Sequence, residues 1–158
     1  MRRGFTLIEL LIVMGIISIL FGTIAINLLN AKHSTDVASI AVTLVSDMKE
    51  QQLKAMLGVS GGRSYADNYG IYFQPSSYIL FHGASYSAMD TTNFTVNLDS
   101  NATFSNIAFP NSTIIFTELS GTVSGFLNGS NSVTVRSQGS NDQKTVTVNA
   151  NGVVTGVN

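Results

Sequence analysis

Met1-Arg2-Arg3-Gly4-Phe5-Thr6-Leu7-Ile8-Glu9-Leu10-Leu11-Ile12-Val13-Met14-Gly15-Ile16-Ile17-Ser18-Ile19-Leu20 opens the chain and decides its architecture. Two arginines and a glycine precede an apolar run that continues to Leu29, and one ionisable residue, Glu9, is set inside it. About 25 helical residues at ~1.5 Å each exceed the roughly 30 Å of a bilayer's hydrocarbon, so 5–29 is expected to cross a membrane. Arg2 and Arg3, with no acid among the first four residues, put the N-terminus on the cytoplasmic side and the remainder outside. A carboxylate in hydrocarbon costs on the order of 2.5–3.5 kcal/mol, so Glu9 calls for a role.

An ordinary secretory signal has an apolar core of about 7–15 residues and a small-x-small cleavage site. Here the core is longer, and Leu29-Asn30-Ala31 has a bulky residue where a small one is needed. A plain signal anchor fits the hydropathy but leaves Glu9 unexplained. If the chain were cut between Gly4 and Phe5, Glu9 would lie one helical turn from a new α-amine. Unpaired N–H groups and the positive end of the helix dipole also favour a carboxylate there. Glu9 then answers either the amine of its own subunit or that of a neighbouring copy, and the second pairing would set helices in register.

Gly4-Phe5-Thr6-Leu7-Ile8-Glu9 ahead of an apolar helix resembles the class III leader and methylation motif of type IV pilins and type II secretion pseudopilins. The resemblance implies a cleaved leader 1–4, removed after Gly4 by a prepilin peptidase, N-methylation of Phe5, and extraction of the helix from the membrane into a filament. Glu9 would there contact the Phe5 amine of an adjacent subunit.

Beyond the apolar run, nothing breaks a helix until Gly58. Val37, Ile40, Ala41, Leu44, Val45 and Met48 recur at three- and four-residue spacing among polar neighbours, so 30–57 is expected to continue the rod with one apolar stripe. Residues 58–158 are expected to form a β-rich domain. Gly58 to Asn68 is a loop. Its Gly61-Gly62-Arg63-Ser64 lacks the pattern of a phosphate cradle and is expected to be a turn. Tyr69–Phe73 and Tyr78–His82, joined by Pro75-Ser76, form a hairpin, and Gly83–Thr92 is a polar surface loop. Further strands are expected at Phe94–Leu98, Phe104–Phe109, Ile114–Phe116, Val133–Val135 and Val146–Val148, with Asn151-Gly152 turning into Val153-Val154. The fold class is α+β: a long helical spine, its first half transmembrane, packed against an antiparallel sheet.

The helix, Tyr69-Gly70-Ile71-Tyr72-Phe73, the stretch Ile114–Gly121 and the closing strands are similar to the minor pseudopilins of the GspH/FimT group. That similarity implies the pilin fold, low-copy filament initiation or tip function, and, for some pilus members, DNA uptake. The partners it implies are other pilin or pseudopilin subunits, the prepilin peptidase and the cytoplasmic membrane. The localisation is a single-pass inner-membrane protein whose domain is extracytoplasmic.

Composition argues against other classes. The 158 residues carry a net charge of -1 with 11% charged residues and no cysteine. Thiolate chemistry is therefore absent and there is no broad basic surface for a phosphate backbone. His33 and His82 lack ligand-spaced companions, and each is expected to be incidental, with no metal and no cofactor. Asp67, Asp90, Asp99, Glu118 and Asp142 occur among turn residues, and no G-x-S-x-G elbow accompanies the serines, so the chain is expected not to be an enzyme. Arg136 and Lys144, flanking the turn at 138–142, are the candidates for a weak DNA contact. With the leader removed, nine acids face six bases and nucleic acid is disfavoured. Two alternatives to the assembly role remain: a DNA-binding competence-type minor pilin, and a membrane-anchored surface domain that never polymerises.

Overall fold

A computed structural model describes the backbone of residues 7–158 and the side chains of 7–21 and 36–158. A single helix, α1, runs unbroken from Leu7 to Met56, 50 residues or about 75 Å. Its second half packs by the expected stripe: Val37, Ala41, Leu44, Met48 and Ala55 are fully buried, with Ile40 and Val45 at the margins. From Val37 to Met48 these positions alternate spacings of four and three, and the buried Gln51 and Ala55 continue the same face. The Gly58 amide bonds to the Ala55 carbonyl and Gly58 takes φ 65°, a left-handed residue that ends the helix.

Eight strands follow: β1 (Tyr69–Gln74), β2 (Ser77–His82), β3 (Phe94–Asn97), β4 (Ala102–Ile107), β5 (Thr113–Phe116), β6 (Ser132–Ser137), β7 (Gln143–Val148) and β8 (Val154–Val157). Each hairpin expected from the sequence is present, β1 with β2 through Pro75-Ser76 and β7 with β8 past Asn151-Gly152. The strands do not form one sheet. They divide into two four-stranded antiparallel sheets, ordered β3-β2-β1-β5 and β4-β6-β7-β8. The chain leaves the first sheet after β3, pairs β4 with β6, returns as β5 beside β1, and ends in the second sheet. The expected strand at Phe104–Phe109 is correspondingly displaced to Ala102–Ile107. Its last residues are taken up by the approach to a 3-10 turn at Pro110–Ser112, since Pro110 donates no hydrogen bond to a ladder.

The helix covers the junction, touching β1 and β5 of one sheet and β6 and β7 of the other. Phe73 of β1 lies edge-on to Phe104 of β4 at 5.4 Å and stacks on Phe109 at 5.5 Å, so aromatic rings join the two sheets beneath the helix. On the far side Gln52 donates to the carbonyls of Gly121 (2.9 Å) and Asn151 (2.8 Å), tying the helix to a loop beyond each sheet.

Candidate functional site

The first site is the N-terminal part of α1. Every residue from Leu7 to Phe21 is exposed, and apolar side chains occupy all sides of this half-rod. The Ser18 hydroxyl donates back to the Met14 carbonyl at 2.8 Å, so this polar group is satisfied within the helix. Glu9 stands in the first turn, where helix N–H groups and the dipole favour an anion. Gly4 and Phe5 lie outside the described residues, as does His33's side chain. An apolar surface this large on an isolated soluble chain is rare and marks burial against lipid or protein. Among the described residues no helix is long and apolar enough to cross a membrane. The fully described apolar stretch, 7–21, is about 22 Å long, and the rest of the expected span falls on residues whose side chains are not described.

The second feature is a polar chain that sequence reasoning missed. His82, expected to be incidental, is nearly buried at the end of β2, and its Nδ1 lies 2.8 Å from Asp67 Oδ2. Asp67 also accepts from Arg63 at 2.8 Å and from the Asn68 amide at 2.9 Å. His82 Nε2 is 2.8 Å from Thr92 Oγ1, and Thr92 donates its hydroxyl to Asp90 at 2.6 Å. The Thr92 hydroxyl and amide hold the Asp90 carboxyl below the usual carboxylate range. The order Asp67, His82, Thr92 is that of a nucleophile-activating triad. Here, however, the Thr92 hydroxyl donates to Asp90 at 2.6 Å, so its hydrogen is directed at a carboxylate and the hydroxyl is not presented as a nucleophile. The chain acts as a clamp: it pins the loop 83–92 to the 58–68 loop through the end of the β1–β2 hairpin. Among the described residues no group of three metal-ligating side chains occurs.

Arg136 and Lys144 are not brought together. Arg136 pairs with Gln143 and Lys144 with Val135, so the pleat sends the two basic side chains to opposite faces of the second sheet, Lys144 beside the core-facing Val135. The small basic spot expected from their closeness in sequence does not form.

Residues 1–25 match the family model described as the prokaryotic N-terminal methylation motif. The match marks a prepilin-type leader and helix start, as found in the type IV pilin-like superfamily. No curated protein matches the chain, and no solved structure does.

Proposed function

We propose that the chain is a prepilin-like structural subunit, cut after Gly4 and assembled through its N-terminal helix into a type II secretion pseudopilus or a type IV pilus, as a minor subunit. The observation that carries this reading is the methylation motif at 1–25 continuing into a 50-residue helix whose residues 7–21 are predominantly apolar and exposed. Before assembly the segment 5–29 spans the cytoplasmic membrane; afterwards the same apolar surface packs against neighbouring helices. The prepilin peptidase exposes the Phe5 amine, which is then methylated. Glu9 pairs with that amine on an adjacent subunit, offsetting the cost of a carboxylate in an apolar setting and fixing the register. The role is structural rather than catalytic.

Intact-mass analysis of membrane-extracted protein tests the processing, with a mature N-terminus at methylated Phe5 as the expected result. Met1 retained, or a cut near Ala31, refutes it. Glu9→Leu is expected to leave membrane insertion intact and to remove the protein from sheared filaments; unchanged incorporation removes Glu9 from the mechanism. The DNA-binding alternative has no comparable support, since Arg136 and Lys144 lie on opposite faces.

A further inference from the structure

On the side of the first sheet away from the helix lies a groove of about 480 Å³, within the range of small-molecule sites. Tyr72 of β1 and Tyr86 of the 83–92 loop form part of its wall, stacked at 4.2 Å and only 7° from parallel, and Tyr86 is braced edge-on by Phe81 at 5.7 Å. Phe126 faces in from the long connection between β5 and β6. The groove thus lies between β1, β5 and the surrounding loops, with a stacked tyrosine pair in its wall.

Its polar groups are neutral, and several of them are uncommitted, although the Thr113 hydroxyl donates to the Asn111 carbonyl at 2.9 Å. No Asp, Glu, Lys, Arg or His lines it. Asn131 uses its amide nitrogen on the Val148 carbonyl at 2.6 Å, which fixes the side chain and leaves its oxygen as an acceptor. The Asn111 amide, the Ser124 hydroxyl and both tyrosine hydroxyls have no hydrogen-bond partner among the described residues. At the rim, Asn111 and Ser112 are consecutive non-glycine residues in the left-handed region, at φ 52° and 55°. Such strain is costly and collects where a side chain must be aimed at something.

Aromatic rings combined with neutral amides and hydroxyls, and no charge, suit a ligand that has apolar C–H faces and many hydroxyls but no ionised group. A phosphate or carboxylate would find no cation there, and a purely apolar peptide side chain would bury the amides and hydroxyls unpaired. We propose that this groove is a binding site for a neutral saccharide, with Tyr72 and Tyr86 as the aromatic platform and Asn111 and Asn131 reading hydroxyls.

The test is a calorimetric titration of the purified full-length chain, in a zwitterionic detergent free of sugar, with maltotriose, cellotriose and N,N′-diacetylchitobiose. A charged trisaccharide, 3′-sialyllactose, and the peptide trileucine are run beside them. At least one neutral saccharide is expected to bind with a Kd of about 1 mM or tighter. Trileucine and 3′-sialyllactose should bind at least about tenfold more weakly. Tyr86→Ala and Asn111→Gly should each weaken that saccharide about tenfold or more. Asn111→Gly also relieves the backbone, so its unfolding midpoint should hold or rise while binding falls. Absence of binding by all three neutral saccharides, preference for trileucine or 3′-sialyllactose, or unchanged binding by both variants overturns the proposal.

Discussion

Asp67 Oδ2 accepts from His82 Nδ1 at 2.8 Å across fifteen residues of sequence, and the same oxygen accepts from Arg63 at 2.8 Å. The carboxylate side chain is 5% exposed, whereas the Arg63 side chain is 39% exposed. Removing the buried acceptor strands the His82 and Asn68 donors; removing the half-exposed cation costs one screened ion pair. Asp67→Ala is therefore expected to lower unfolding free energy by about 2–3 kcal/mol. Arg63→Ala should cost less than about 1 kcal/mol. Urea unfolding of both variants checks the ordering, and equal losses would contradict it.

The next link outward gives a pH dependence. Asp90 accepts from the Thr92 hydroxyl at 2.6 Å and from its amide at 2.9 Å, which lowers its pKa in the folded protein. A depressed folded pKa means that the contribution is present above the unfolded value, about 3.9, and is lost as pH falls through the lower folded value. The Asp90 carboxyl carbon, followed by NMR, should titrate below an ordinary aspartate, and Thr92→Val should move its midpoint upward. A midpoint unmoved by Thr92→Val would show that Thr92 does not hold the carboxylate.

What could be read in advance was local. The helix followed from the spacing of Val37, Ala41, Leu44 and Met48, and the hairpins from alternation around Pro75-Ser76 and Asn151-Gly152. Division into two sheets was not visible, because alternation states which face a strand buries but not which strand it joins. β5 pairs with β1, more than forty residues earlier, and β4 with β6 across the intervening β5. The Asp67–His82 contact had a faint signal: the hairpin register sets His82 opposite Tyr69, which brings the residues just before Tyr69 alongside it. Arg136 and Lys144 failed for the converse reason. Eight residues across a hairpin looked close, but Arg136 pairs with Gln143, one residue out of register with Lys144, and the pleat sends the two to opposite faces.

Gln52 and Gly152 show how the helix is locked to both sheets. Gly152 has φ 75°, and a Cβ there would lie 2.4 Å from Gln52 Nε2 and 2.7 Å from the Gly121 carbonyl. The glutamine can swing away, but the carbonyl belongs to the backbone. Gly152→Ala is expected to cost about 2–4 kcal/mol. Gln52→Ala, which leaves the Gly121 and Asn151 carbonyls without this donor, should cost about 1–2 kcal/mol. The double variant should be less destabilised than the sum, because one clash is already gone, yet remain worse than Gln52→Ala alone. Thermal unfolding of all three measures the coupling; strict additivity would mean that the two residues do not share the contact.

Tyr78 joins the helix to the first sheet by donating its hydroxyl to Asp47, and its ring is 1% exposed. Burial, reinforced by the bond to Asp47, pushes the phenol well above its ordinary pKa. A folded value raised above the unfolded one, about 10, gives stability that is complete below pH 10 and is lost as pH rises, since only the unfolded chain releases the proton. The wild-type protein should therefore lose unfolding free energy more steeply between about pH 10 and 12 than Tyr78→Phe. Near pH 7 the substitution should cost about 1–2 kcal/mol, because Asp47 loses its donor. In an absorbance titration at alkaline pH, one of the chain's five tyrosines should ionise only as the protein unfolds, and that late step should vanish in Tyr78→Phe. Parallel loss of stability in the two proteins above pH 10 would show that the Tyr78 proton is not held by the fold.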